Sequence, residues 1–326
     1  MKQKYYLFFI IIFIYSTYLH AGPIFKGTGI SQLDNSQDPP LIFYPSNTKN
    51  QILFIDGYEI DASKSINIAD DNGNYPIVII SHGTASSKLS HHNIASALAK
   101  YGYIVITLNH SKDNYKNQSS IENNNRLFTR VNDISDLIDS LSKSSWKDRI
   151  DLNNINFLGF SAGGSTGLFL AGGQFDIDNF IKYCQVYTTQ NICLTINNIA
   201  SALPNFMSIK PDDRIKSIIL ISPVSFFFSD LSLKKIKLPS IIIGGENDHE
   251  ISAQRNFIDL YNKLNNKKNK LILIRNAGHF SFLPTCSEQF ARNNPDLCID
   301  SPYINRSVLT NQLVNQIHSF LLKNKL

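Results

Sequence analysis

Apolar residues in this chain follow two periodicities, and their alternation sets the architecture. Short, mostly apolar runs occur at 77–81, 104–108, 155–158, 215–221, 241–243 and 271–274. Runs of this kind are expected of strands buried on both faces. Between them, apolar residues return at helical spacing. Ile94, Leu98 and Tyr101 share one stripe, closed by Gly102, and Phe128, Val131, Ile134, Leu137, Ile138 and Leu141 share a longer one. Residues 251–264 and 308–322 also read as helices. Strand and helix alternating in this way predict an α/β fold, a mostly parallel doubly wound sheet with helices on both faces.

The flanks of that pattern differ. Residues 23–75 are polar and turn-rich, with strands expected near 24–30 and 41–44. Hairpins or loops are expected over 51–74, where Asp56-Gly57 and Asp71-Asn72-Gly73 stand. This start predicts an antiparallel edge. The polar stretch 111–125 reads as a surface loop, and 173–213 as a cap-like excursion over the sheet. With no internal repeat, residues 22–326 are read as one domain.

Candidate chemistry sits where the strands end. The run 155–158 leads into Gly159-Phe160-Ser161-Ala162-Gly163, a G-x-S-x-G pattern followed by helix-compatible residues 164–171. That is the layout of a nucleophile elbow, in which a serine occupies a sharp strand-to-helix turn. A serine hydroxyl is a weak nucleophile and needs a base that is itself oriented. Gly244-Gly245-Glu246-Asn247-Asp248 follows the strand at 241–243, and Arg275-Asn276-Ala277-Gly278-His279 follows the one at 271–274. Ser161, Asp248 and His279 thus stand at three strand ends in serine, acid, histidine order. Glu246 is the rival carboxylate, read instead as a loop residue or a cap for the next helix.

The remaining candidates are backbone donors and other histidines. An oxyanion hole needs two N–H groups. Ala162 supplies one, and Thr84, in the His82-Gly83-Thr84 turn after residue 81, supplies the other. His82 reads as structural in that turn. His110 and His249 also lie just past strands, and His91 and His92 read as solvent-facing or capping at a helix start.

Composition narrows the function classes. The chain has 326 residues, 43% hydrophobic and 17% charged, which suits a sizeable core and excludes a disordered chain or a coiled coil. Lys2 and Lys4 precede an apolar run over residues 5–19, then His20-Ala21-Gly22-Pro23, the three parts of a secretory signal at 1–21 cut after Ala21. The run is short for a membrane span, an uncleaved anchor being the alternative. Without Lys2 and Lys4 the balance is 29 basic against 26 acidic residues, or +3. Such a scattered charge does not argue for nucleic acid. Four cysteines fall as two near pairs, Cys184 with Cys193 and Cys286 with Cys298, read as two disulfides of an exported protein. Zinc-ligand spacing is lacking. The protein is therefore expected in the periplasm or outside the cell, with no stable membrane span, and no metal or organic cofactor is implied.

Taken together, five stretches resemble the α/β-hydrolase superfamily. They are Phe43-Tyr44-Pro45, Ile79-Ile80-Ser81-His82-Gly83, the elbow to Gly164, Gly244 to Asp248, and Ala277-Gly278-His279-Phe280-Ser281-Phe282-Leu283. Within that superfamily the chain is similar to the dienelactone-hydrolase-like group related to bacterial platelet-activating-factor acetylhydrolases. The resemblance implies the α/β-hydrolase fold and runs from about residue 25 onward, with 46–75 and 111–125 matching poorly. Two departures stand out. Dienelactone hydrolases carry a cysteine nucleophile where this chain has Ser161. The acetylhydrolases take their acid one strand earlier, where this chain reads Ile221-Ser222-Pro223-Val224. The resulting expectation is a serine carboxylic ester hydrolase acting through an acyl-enzyme on a small or short-chain ester. A lipid acylhydrolase, a polyester hydrolase and an inactive hydrolase-fold binding protein are the alternatives.

Overall fold

A computed structural model describes residues 25–64, 67–70, 72–119, 126–188, 193 and 209–325. The signal segment 1–21 and much of 173–213 therefore lie outside the described residues.

Every apolar run of the sequence becomes a strand of one eight-stranded sheet. Its members are β1 (Gly27–Gln32), β2 (Leu41–Ser46), β5 (Tyr75–Ser81), β6 (Ile104–Thr107), β7 (Ile150–Phe160), β8 (Ile215–Ile221), β9 (Ser240–Gly245) and β10 (Lys270–Ile274). Their order is β1-β2-β6-β5-β7-β8-β9-β10. From β6 to β10 all pairings are parallel, while β1 pairs β2 and β2 pairs β6 antiparallel. The antiparallel N-terminal edge is as expected, with β1 beginning three residues later than read from the sequence. The 51–74 region yields a hairpin, β3 (Gln51–Ile55) and β4 (Tyr58–Ala62), which forms a sheet of its own. Asp56 and Gly57 both take positive φ at its tip, as a two-residue hairpin turn demands. A single parallel bridge, Gly29 to Ser63, ties it to β1.

Alternation along each strand splits the core in two. Ile77 and Ile79 face one side of the sheet, and Val78 and Ile80 the other. The first side is covered by α2 (Arg126–Leu141), α3 (Ala162–Leu170) and residues 226–228, a run of three buried phenylalanines. The second is covered by α1 (His92–Lys100) and a long late helix (Arg306–Lys323). In α2 the buried stripe starts at Leu127 and Arg130 rather than at Phe128, which is only half-buried.

The rest follows the expected rhythm with local changes. Helix 251–264 opens as a π-turn (Gln254–Ile258) before regular turns at Asp259–Lys263, and the turn brings Asn256 inward to bond the Ser225 and Phe226 N–H groups. Where the sequence suggests an excursion, a helix (Ile177–Val186) packs Phe180 and Tyr183 against Phe226. Both cysteine pairs form disulfides, Cys184–Cys193 and Cys286–Cys298, which removes all four as zinc ligands. Among the described residues no helix is long and apolar enough to cross a membrane.

Candidate active site

Ser161 sits on a sharp strand-to-helix turn, with φ 53° and ψ −115°. A non-glycine residue in this region is strained and must be held by its surroundings. Here the Ser161 N–H is bound to the Ile221 carbonyl of β8 at 2.9 Å, and the Ser161 carbonyl receives the Gly164 N–H at 2.9 Å. Strand and helix approach so closely that a Cβ on Gly159 would strike the Gly163 carbonyl, and one on Gly163 would strike Ser81. The motif's glycines are there because any side chain would collide with backbone. The turn leaves Ser161 half-buried at the head of α3, whose free N–H groups and positive dipole end begin with Ala162.

The three strand-end residues converge on this turn. His279 Nε2 lies 3.0 Å from Ser161 Oγ, and His279 Nδ1 lies 2.7 Å from Asp248 Oδ2. The Asp248 side chain is fully shielded from solvent and that of His279 is 6% exposed. Asp248 Oδ1 accepts the N–H groups of Glu250 and Ile251, at 3.1 and 3.0 Å. That carboxylate closes the turn before the next helix, and Glu246 is an exposed loop residue, the first of its two sequence readings. His249 is exposed as well. Ser281 Oγ fixes the turn carrying His279, accepting the Gly278 N–H at 3.0 Å and donating to Asp300 at 2.6 Å.

The histidine imidazole also has an aromatic seat. Phe160, the residue before the nucleophile, packs 5.0 Å from the His279 ring on one side and 5.0 Å from His91 on the other. This overturns the exposed reading of His91 and His92, which are 1% and 6% exposed. At that helix start Phe160 covers His91, and the Tyr58 ring packs 5.6 Å from that of His92. Among the described residues no hydrogen bond of good geometry reaches either ring nitrogen of His91, the Phe282 backbone standing near without forming one, and its side chain does not cap the helix. Burial, aided by His92, pushes its pKa down to about 3, with the Phe282 backbone opposing, and burial alone takes His92 to about 4.

The oxyanion turn begins at the end of β5. Its His82 is structural, as read from sequence. His82 Nδ1 donates to the Gly83 carbonyl at 2.6 Å, and Nε2 accepts the His110 N–H at 3.3 Å. Burial drives both His82 and His110 well below the ordinary histidine range, and the Arg130 charge adds to it. Thr84 is exposed at the tip of the turn, and no acceptor within the described residues takes its N–H. Part of the neighbouring stretch departs from expectation. Asp113 and Asn114, read as surface-loop residues, are 0% and 5% exposed. Asp113 is drawn inward by Arg130, a residue the sequence reading passed over. The signal was present, since Arg130 lies between Leu127 and Ile134 on the apolar stripe of α2.

A cavity of about 810 Å³ lies beside α1, walled partly by Ile52, Tyr58, Ala85, Leu283 and Phe290. Ser161, Asp248 and His279 do not line it. Its lining comes nearest the site along the chain at Ala85 and Leu283, which follow Thr84 and the His279 turn.

A family model described as Chlorophyllase matches residues 41–298, which span every element just described from β2 to the Cys286–Cys298 loop. No curated protein matches the chain.

Proposed function

Because the chain belongs to the chlorophyllase family of α/β-hydrolases, we propose that it is a serine carboxylic ester hydrolase working through an acyl-enzyme. The observation that carries this reading is the relay from Ser161 through His279 to Asp248, with contacts of 3.0 and 2.7 Å at three strand ends.

In this mechanism Ser161 Oγ attacks the acyl carbon as His279 Nε2 takes its proton. Asp248 Oδ2 receives the Nδ1–H, holds the imidazole in the right tautomer and stabilises the imidazolium. The developing oxyanion accepts from the Ala162 and Thr84 N–H groups, each such donor typically being worth about 3 kcal/mol in the transition state. Collapse breaks the ester bond, and His279 returns the proton to the departing alcohol. Water then enters, gives a proton to His279 and attacks the acyl carbon, releasing the acid and restoring Ser161. The acid's position after β9 supports the dienelactone-hydrolase-like arrangement over the acetylhydrolase one, since the turn after β8 offers Ser222 and Pro223 but no carboxylate.

The substrate we favour is a small or short-chain ester, reached through the half-buried Ser161. A second reading, an ester with a bulky apolar group such as chlorophyll, a lipid or a polyester, is favoured by the family match, and the 810 Å³ cavity beside α1 is large enough to take such a group. The two disulfides support a protein exported through the signal at 1–21 into an oxidising compartment, and the single eight-stranded sheet supports 22–326 as one domain.

The test is hydrolysis of nitrophenyl esters of rising chain length by the parent and by Ser161→Ala. Loss of activity in the variant and labelling of the parent by a fluorophosphonate are expected. An unlabelled parent would make it a binding protein on a hydrolase fold, and a fully active variant would remove Ser161 from the chemistry.

A further inference from the structure

Arg130 is the largest fully buried side chain among the described residues, and the mechanism above does not use it. It lies on α2, yet its guanidinium reaches three other segments. Nη1 donates to Asp113 Oδ2 at 2.8 Å. Nη2 donates to the His82 carbonyl and to Ser81 Oγ, the latter at 3.3 Å. Nε donates to Thr166 Oγ1, one turn into the nucleophile helix, at 3.3 Å. Asp113 is equally buried, and its other oxygen accepts the Ala85 N–H at 2.7 Å.

These bonds bracket one peptide group. The His82 carbonyl is fixed by Arg130, the Ala85 N–H is fixed by Asp113, and the two anchors are bonded to each other. Between them lies the Gly83–Thr84 peptide, whose N–H is the candidate oxyanion donor. Peptide groups are planar and trans, so holding the units on either side leaves that N–H little freedom to turn. Ala85 is kept at φ 54°, a conformation an alanine adopts only when its neighbours over-determine it. A further layer holds the anchor. The Ser81 hydroxyl donates to His110 Nε2 at 2.8 Å, and His110 Nδ1 donates to Asp133 at 3.1 Å. Ser81 therefore keeps a lone pair free for Arg130.

We infer that Arg130 and Asp113 are positioning residues for the oxyanion hole, clamping the turn that carries the Thr84 N–H to the helix that carries the Ala162 N–H. The role is geometric. The guanidinium charge is neutralised by Asp113, and neither side chain is exposed to a substrate. The inference rests on the hydrolase reading of Ser161. A donor displaced by about an ångström forfeits most of its effect on the transition state and little of its effect on ground-state binding.

The experiment compares the parent with Asp113→Asn, Arg130→Lys and Thr166→Val on a short-chain nitrophenyl ester. A trifluoromethyl ketone, whose adduct with Ser161 places an oxyanion in the hole, serves as inhibitor. For Asp113→Asn we expect kcat to fall by about ten- to a hundredfold at nearly constant KM. The inhibition constant should rise by the same factor, which a loss of fold stability alone would not produce. Thr166→Val keeps the shape and removes the Arg130 bond together with the hydroxyl's own bond to the Ala162 carbonyl at 3.1 Å, and a smaller matched change in both quantities is expected, whereas Thr166→Ser, which keeps both bonds, should stay near the parent. That comparison decides the matter if the buried-pair variants do not fold. Folded variants with parental kcat and inhibition constant, or with a change confined to KM, would overturn the inference. An inactive Ser161→Ala beside a fully active Asp113→Asn defeats the clamp alone. An active Ser161→Ala defeats the hydrolase reading and the clamp with it.

Discussion

Asp248 serves His279 with one carboxylate oxygen and the backbone of its own loop with the other. Oδ2 meets His279 Nδ1 at 2.7 Å while Oδ1 closes the turn at Glu250 and Ile251. Position and function of the acid are therefore held by separate atoms of one side chain.

Exchanging Asp248 for Asn should separate the two roles. The amide oxygen can still accept the turn N–H groups, so the fold survives. The amide nitrogen would face His279 Nδ1, favouring the wrong tautomer. A fall in kcat on the order of 10⁴ is expected, with an unchanged unfolding midpoint. Glu246→Gln, altered at an exposed carboxylate, should retain parental kinetics. A Glu246→Gln defect as large as that of Asp248→Asn would reassign the acid.

Acid should destabilise the protein through His91. An unfolded histidine takes up a proton as pH drops through about 6.5, whereas buried His91 does so only near pH 3. Between those values the unfolded chain binds more protons, so stability is fully present above pH 6.5 and is lost as pH falls. At pH 4.5 the loss attributable to His91 is roughly 2–3 kcal/mol as an upper bound. His91→Phe, which keeps a ring against Phe160, should shrink the stability difference between pH 7 and pH 4.5. Urea unfolding at the two pH values measures it, and an equal difference in parent and variant would contradict the prediction.

Removing the Cys286–Cys298 bridge should cost stability and spare activity. In the chain-entropy model a loop of this length is worth about 3 kcal/mol. The segment keeps other ties. Arg306 donates to the Pro284 and Leu297 carbonyls at 3.0 and 2.6 Å, and it pairs with Asp300 at 2.6 Å. Asp300 in turn holds Ser281 in the His279 turn. The double serine variant is expected to unfold at a lower temperature yet react normally with a fluorophosphonate at room temperature. Loss of labelling in a folded variant would show that the bridge itself positions His279.

Much of this was legible in the sequence because the physics was local. Parallel strands buried on both faces are apolar along most of their length, so 77–80 and 218–221 are readable as strands. Gly159 answers to a collision four residues along, with Gly163, and the two cysteine pairs close short loops, whereas the collision that keeps Gly163 bare is with Ser81 of a distant strand. What stayed hidden depends on contacts distant in the chain. His91 looked exposed because groups packed against it, Phe160 and Phe282, come from 69 or more positions away. Asp113 looked solvated among Asn, Ser and Lys because its partner Arg130 lies on another element. Arg130 itself was readable in part, as a cation on an apolar stripe, but its targets were not.

The close packing at Gly159 and Gly163 divides the chain by what selection can alter. Where a single added carbon would run into backbone, no sequence of small steps leads anywhere, and those positions are frozen. Thr84, Tyr115, Glu246 and His249 stand exposed around the same strand ends and can change at little cost to the fold. Lineages that acquire new substrates from this scaffold should differ at such sites while the elbow passes between them unaltered. A mutational library restricted to those exposed positions is the economical place to look for altered ester preference.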